Sequence, residues 1–237
     1  MTEFFKFSSR SKQITFGIIG LGALFVVLSI LFGVESNRIW SSFVMANWYF
    51  LAIALGGLFI IAVSYISKSG WNTALKRIPE AMSSYIPWAL LIFGVPYLLY
   101  MLLVDNNMYH WTHEHAVQHD EILKGKTPYL NVPFFAVRLV FVLVIWALFT
   151  WIFRKNSLKE DEEGGLKWFN KALVHSAIFI ILFAITVSVA SWDWMMSLEP
   201  HWFSTMYAVY AFAGIFVGGW AVIIITTIQL KNKGYLS

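Results

Sequence analysis

Six long apolar runs constrain the fold of this chain more than any other feature. They cover residues 14–33, 44–66, 87–104, 133–153, 172–191 and 206–230. Each has at least 18 residues, close to the ~20 that an α-helix needs to cross a hydrocarbon core of ~30 Å. Five contain no Lys, Arg, Asp or Glu, and the fourth contains only Arg138. Because lipid offers no partners for backbone polar groups, we expect an all-α bundle of six membrane-spanning helices.

The composition supports one integral membrane domain over residues 1–237. Only 13% of the residues are charged and 59% are hydrophobic, whereas a soluble domain carries about 25% charged residues. In a soluble domain a net charge of +4 would raise the question of nucleic-acid binding. In a membrane protein the distribution of that charge across the bilayer matters more than its sum.

The Lys and Arg residues predict the orientation of the chain. Thirteen of the 17 lie in the two tails and in segments 67–86 and 154–171. By the positive-inside rule, both termini then face the cytoplasm, and segments 105–132 and 192–205 face the periplasm of a bacterial inner membrane. The acidic run 160–163, followed by Gly164 and Gly165, predicts a solvated flexible turn.

The predicted periplasmic segment 105–132 carries four of the six histidines: His110, His113, His115 and His119. On a helix, His115 and His119 would share a face at i, i+4. A transition metal could bind such residues, but the spacing matches no strong zinc pattern, so we assign no metal here. A polar surface or a proton-accepting patch is the favoured interpretation.

Two ionisable residues within the apolar runs are candidates for a quinone- or proton-related role. Arg138 lies about five residues, or ~7–8 Å, inside the fourth run, where it can snorkel outward or pair with Asp105, Asp193 or Glu199. His175 lies one turn inside the opposite end of the fifth run. A structural role stays open for both.

Redox cofactors are not expected in this chain itself. It contains no cysteine, which excludes c-type haem attachment and iron–sulfur ligation by cysteine. A membrane b-type haem would typically need two histidines on transmembrane helices, and His175 is alone in the apolar runs.

The segment SWDWMMSLEPHWF, residues 191–203, is unusually aromatic for a connection between membrane helices. Its Asp193, Glu199 and His201 would lie where hydrocarbon meets water, a place where desolvation raises carboxylate pKa values and allows proton exchange. The alternative is an interfacial turn, with Asp193 capping a short helix and the tryptophans as anchors. We expect this end of the chain to be a docking surface or a proton exit. The docking candidates are His110, Trp111, His113, His115, His119, Trp192, Trp194 and Trp202.

Two stretches resemble one family of membrane subunits. They are SWDWMMSLEPHWFSTMYAVY, residues 191–210, and HWTHEHAVQHDEILKGKTPYLN, residues 110–131. Both are similar to the second large membrane subunit, the ActF type, of bacterial alternative complex III. That complex is a quinol:electron-acceptor oxidoreductase, and the subunit belongs with the NrfD- and polysulfide-reductase-like membrane proteins.

The resemblance implies a multi-subunit respiratory complex. Its expected partners are a sister NrfD-like membrane subunit, periplasmic subunits with c-type haems and iron–sulfur clusters, a terminal oxidase and membrane lipids, but no nucleic acid. The substrate would be a quinol such as menaquinol, and this subunit would contribute to quinone binding, proton conduction or scaffolding. Relatives have about ten membrane helices, whereas this sequence contains six runs, so we expect either an incomplete copy or a chain in which the remaining helices are absent. A pure scaffold and a small-solute transporter are the alternatives.

Overall fold

A computed structural model describes residues 8–105 and 107–235 of the chain. Over these residues the regular structure is entirely helical, and six stretches are long and apolar enough to cross a membrane. They are Ser9–Leu31, Ser36–Ile66, Arg77–Leu103, Val132–Glu163, Lys167–Leu198 and Tyr207–Asn232. The predicted all-α fold with six candidate spans is confirmed, and the chain has the architecture of a multi-pass membrane protein. Lys6 lies outside the described residues, and the orientation of both termini stays a prediction.

The chain divides into two compact units between Phe43 and Val44, and the single membrane domain stays a prediction. In the first unit, helix α1 (Ser9–Leu31) begins after Ser8, whose hydroxyl accepts a hydrogen bond from the Ser11 amide. None of its 23 described residues is buried. Helix α2 (Ser36–Ile66) begins in this unit and continues into the second.

The second unit has a nearly continuous helical path over Arg77–Leu103. It comprises α3 (Arg77–Ser83), α4 (Tyr85–Ala89), a π-helical turn (Leu90–Gly94) and α5 (Val95–Leu103). Pro96 stands in the first turn of α5 and has no backbone N–H to donate into the preceding turn. The wide π-helical turn therefore occurs directly before the proline.

Two short helices and three long ones complete the second unit. The short ones are α6 (Glu114–His119) and α7 (Glu121–Lys126), and the long ones are α8 (Val132–Glu163), α9 (Lys167–Ala190) and α10 (Tyr207–Asn232). Helices α8 and α9 form the most extensive helix pair. We call the end with residues 104–131 and 191–206 the motif end, and the end with residues 67–77 and 154–171 the basic end.

The turn predicted at 160–163 is wrong, because α8 continues to Glu163, whereas Asp161, Glu162 and Glu163 are exposed, as predicted. Lys76 forms an ion pair with Glu160 at 2.7 Å, and Arg77 pairs with Asp161. These contacts to the α3 region give two residues of the acidic run partners within the chain and favour the extension of the helix. The turn itself follows at Gly164 and Gly165, both with positive φ.

The predicted loop 192–205 is also partly wrong. Helix α9 continues as a π-helical turn (Ser191–Met195) and a 3-10 turn (Met196–Leu198), so the irregular connection starts only at Glu199. Trp194 is fully buried and contacts the rings of Trp48, Phe93 and Trp146 edge-on. Burying this large aromatic side chain in the core favours continuation of the helical path.

Candidate functional site

A buried ion pair joins α8 to the end of α9 at the motif end. Arg138 Nε lies 2.5 Å from Asp193 Oδ2, and Arg138 Nη2 lies 3.2 Å from Oδ1. The side chains are 10% and 1% exposed. Of the three acids predicted as partners for Arg138, the structure selects Asp193. The bidentate geometry is the strongest form of a carboxylate–guanidinium contact.

Aromatic rings enclose the guanidinium of Arg138. Its central carbon lies 4.0 Å from the ring centroid of Tyr129 and 4.2 Å from that of Phe134. Arg138 Nη1 also donates to the Tyr129 carbonyl at 3.0 Å. All of these contacts favour the charged guanidinium at a site with little access to water.

Tyr129 connects this ion pair to the surface. Its ring lies 4.0 Å from the guanidinium carbon of Arg138, and the residue is 39% exposed. Partial burial, reinforced by the negative charge of Asp193, raises the pKa of Tyr129 to about 12. Tyr129 therefore stays protonated at neutral pH.

The backbone of the π-helical turn is held from two sides. Ser197 Oγ donates to the Asp193 carbonyl at 2.5 Å, and the Tyr109 hydroxyl donates to the Trp194 carbonyl at 2.9 Å. The Tyr97 hydroxyl forms a short hydrogen bond with the Tyr109 hydroxyl, and both tyrosines are fully buried. Burial raises the pKa of Tyr109 above its ordinary value. Asp193 lies within this turn and does not cap a short helix.

The sequence did not single out the hydroxyls of Tyr97, Tyr109 and Tyr129. Tyr109 directly precedes the histidine-rich segment, which was the available signal for it. Tyr97 lies within an apolar run, and nothing in the sequence indicates that its hydroxyl bonds to Tyr109, 12 residues further along the chain.

His201 and Glu199 lie beside the buried centre, in the exposed connection to α10. His201 Nε2 is 2.5 Å from Asp120 Oδ2, and His201 Nδ1 is 3.7 Å from Glu199 Oε1. Lys126 Nζ donates to the Pro200 carbonyl. The hydrogen bond from His201, and after it those from backbone amides, hold the pKa of Asp120 below its usual value. These contacts join the two predicted periplasmic segments to each other.

The remaining histidines do not form a metal site among residues 8–105 and 107–235, where no group of three or more possible ligands comes together. His115 and His119 share one face of α6, as predicted, with ring centroids 4.3 Å apart. His113 Nε2 bonds to the Asn107 carbonyl at 2.8 Å. Asp105 lines an open depression of about 640 Å³ with Glu114 and His115.

The predicted docking residues include buried, partly buried and exposed side chains. Trp111 and Trp194 are buried within the chain, at 4% and 1% exposure, so their side chains cannot form a docking surface, and the prediction for these two is wrong. Trp192 is partly buried, whereas Trp202 is 50% exposed. The exposed predicted residues are His110, His115, His119 and Trp202.

His175 belongs to the other end of the second unit. Its Nδ1 lies 2.9 Å from Asn156 Nδ2 on α8. Asp193 lies 18 positions further along the helical path of α9 and the π-helical turn, which corresponds to about 27 Å. The two predicted proton-related candidates on this helix therefore do not share a site.

A second buried carboxylate, Glu80, was missed because it precedes the third apolar run. It accepts hydrogen bonds from Arg77 Nη1 at 2.5 Å, Arg154 Nη1 at 2.6 Å and Ser157 Oγ at 2.5 Å. Its side chain is 2% exposed. Glu80 belongs to segment 67–86, outside the apolar runs, and α3 and the extension of α8 enclose it.

The second unit is therefore a helical bundle of the membrane type. It has a buried Arg138–Asp193 ion pair at the motif end and a buried cluster of Glu80 with Arg77 and Arg154 at the basic end. No protein-family model matches the sequence, and no curated protein matches it.

Proposed function

We propose that this chain is a multi-pass membrane subunit of a respiratory quinol:cytochrome c oxidoreductase in a bacterial inner membrane. In this proposal the Arg138–Asp193 centre contributes to the quinone side of the complex and to proton exchange. The observation that carries the proposal is that Asp193, within the segment with the family resemblance, is the acid buried against Arg138. The unusual sequence thus coincides with the most unusual electrostatic feature of the motif end.

The arrangement provides a chemical route for a proton. The Asp193 carboxylate is almost fully buried, whereas Tyr129, which contacts the same Arg138 guanidinium, is 39% exposed. A proton released at the motif end can pass along the Tyr129 hydroxyl to the carboxylate or back to water. Arg138 pairs with both carboxylate oxygens and so holds the acid in one orientation.

The redox groups of the complex belong to other chains in this proposal. A sister NrfD-like membrane subunit and periplasmic subunits with c-type haems and iron–sulfur clusters would accept electrons from menaquinol or a related quinol. The exposed residues of the motif end, among them His110, His119 and Trp202, are available to contact such subunits. A terminal oxidase would receive the electrons.

Affinity purification of the tagged chain from its native membrane tests membership in such a complex. The expected result is co-purification of haem-containing chains and quinol:cytochrome c activity. A monodisperse preparation of the chain, free of haem-containing partners, would refute the proposal.

The role of the buried centre is tested with Tyr129→Phe, which removes the hydroxyl and keeps the ring over Arg138. We expect quinol turnover to fall several-fold while the complex still assembles. Tyr49→Phe is the matched control, since Tyr49 lies on α2 and is 62% exposed. Unchanged turnover with Tyr129→Phe would remove proton exchange from the proposal.

A structural scaffold is the second candidate. It is favoured by the complete pairing of Asp193, because both carboxylate oxygens bind Arg138. In that case Asp193→Asn would lower assembly and turnover in parallel, and the complex that does assemble would have unchanged activity per haem.

A further inference from the structure

The indole of Trp168, in the first turn of α9, is surrounded by lysines at the basic end. Lys171 Nζ lies 4.3 Å from the ring centroid, Lys159 Nζ 4.8 Å and Lys167 Nζ 5.2 Å. Lys159 comes from α8 and the other two from α9. A cation–π contact needs one cation on a ring, so three ammonium groups around the same indole form a cluster of positive charge.

The charge of this cluster is not balanced by the carboxylate in contact with it. Glu163 lies 3.5 Å from Lys159 and 3.6 Å from Lys167, and accepts a hydrogen bond from Trp168 Nε1 at 2.6 Å. Among the ion pairs of the described residues, Glu163 is the acid that contacts these lysines. Three ammonium groups share this one carboxylate, so the cluster attracts a further anion.

The cluster lies at the depth of the lipid headgroups. Trp168 precedes the apolar run that begins at Ala172 by four residues, which is about 6 Å along the helix. The headgroup layer extends about 5–7 Å beyond the hydrocarbon core on each side. Tryptophan is typical of this layer, and Lys159 and Lys167 are 38% and 67% exposed, so the ammonium groups are accessible there.

We propose that Lys159, Lys167 and Lys171 bind the phosphate of an anionic phospholipid headgroup at the edge of Trp168. The phosphate supplies the negative charge that Glu163 does not, and the lysines reach it from two different helices. Lipid bound there would connect the end of α8 to the start of α9. This site is independent of the quinol-oxidising function proposed above.

Native mass spectrometry of the full chain in detergent, titrated with phosphatidylglycerol and separately with phosphatidylcholine, tests the proposal. Removing one lysine near an anionic lipid surface lowers the affinity of the protein for the anionic lipid about fivefold. We therefore expect Lys171→Gln to weaken phosphatidylglycerol binding about fivefold and the triple variant K159Q/K167Q/K171Q at least tenfold. Phosphatidylcholine binding should not change. If the triple variant fails to fold, the single variant still decides the result.

The matched control K12Q/K231Q/K233Q removes the same charge from the two ends of the chain. Equal weakening in both triple variants would show a general electrostatic effect and overturn the site, as would unchanged binding in K159Q/K167Q/K171Q. A further titration adds inorganic phosphate at constant ionic strength. Displacement of phosphatidylglycerol by millimolar phosphate would assign the cluster to free phosphate and overturn the lipid site.

Discussion

Gly56 of α2 and Gly219 of α10 lie in direct backbone contact. A Cβ on Gly219 would lie 2.8 Å from Gly56 Cα and 3.0 Å from Gly56 C, and a Cβ on Gly56 would lie 2.5 Å from the Ile215 carbonyl oxygen. Backbone atoms on both sides cannot move away as a flexible side chain could. Close approach through small residues is a common basis of helix association in lipid.

Gly219→Ala should therefore destabilise the protein even though alanine is the better helix former. We expect a loss of about 1–3 kcal/mol from overpacking, measured as the free energy of unfolding in mixed detergent micelles. Gly218→Ala is the control, because a Cβ there meets nothing within 4 Å. Equal stability of the two variants would contradict the observed helix contact.

The Arg138–Asp193 pair predicts strong coupling between its two members. Arg138→Gln or Asp193→Asn alone leaves one buried charge without its partner and should cost about 3–5 kcal/mol. The double variant should lose less than the sum of the two single variants. A double-mutant cycle of unfolding free energies measures this difference, and additive losses would mean that the two side chains do not interact.

Glu80 predicts a second stability effect, at the basic end. Glu80→Gln weakens the contacts from Arg77 and Arg154, and hydrogen bonds to a charged group contribute about 1.5–3 kcal/mol. Because the two arginines are 44% and 50% exposed, solvent screening should limit the loss to about 2 kcal/mol. Glu162→Gln, at an exposed position on α8, is the control. A loss of the same size in both variants would show that the burial of Glu80 is not the cause.

The hydroxyl of Tyr109 is expected to stabilise the π-helical turn Ser191–Met195. Tyr109→Phe removes the donor to the Trp194 carbonyl and the partner of the Tyr97 hydroxyl, which should cost about 1–3 kcal/mol. Thermal unfolding in detergent measures the effect. Tyr210→Phe, at a 76% exposed position, should leave the midpoint unchanged, and a similar shift in both variants would speak against the buried hydroxyl network.

The spans could be predicted because each is an apolar run long enough for a bilayer, and this signal is local in the sequence. The ends of the helices could not be predicted in the same way. Helix α8 extends ten residues beyond the predicted run, to Glu163, because Lys76 and Arg77 pair with its charged residues. A hydropathy profile treats charged residues as solvated. It contains no information about ion-pair partners that lie 84 positions away in the sequence.

The site was predictable only in part for a similar reason. Arg138 stands out as the cation in an apolar run, but its choice among Asp105, Asp193 and Glu199 depends on where the helical path after α9 ends. Because the path continues through a π-helical turn, Asp193 is buried opposite Arg138 while Glu199 stays exposed. The irregular turn has no signature in hydrophobic periodicity.

The contact between Asp120 and His201 predicts an acid-dependent contribution to stability. The His201 hydrogen bond lowers the pKa of Asp120 below its ordinary value of 3.8. Because the folded pKa is the lower one, the stabilisation is complete above about pH 4 and is lost as the pH falls through the folded value. Asp120→Asn keeps an oxygen to cap α7, where Asp120 Oδ1 accepts from the Ile122 amide, but removes the charge. The midpoint difference between wild type and this variant should shrink as the pH falls below about 4. A difference that stays constant down to pH 3 would contradict the prediction.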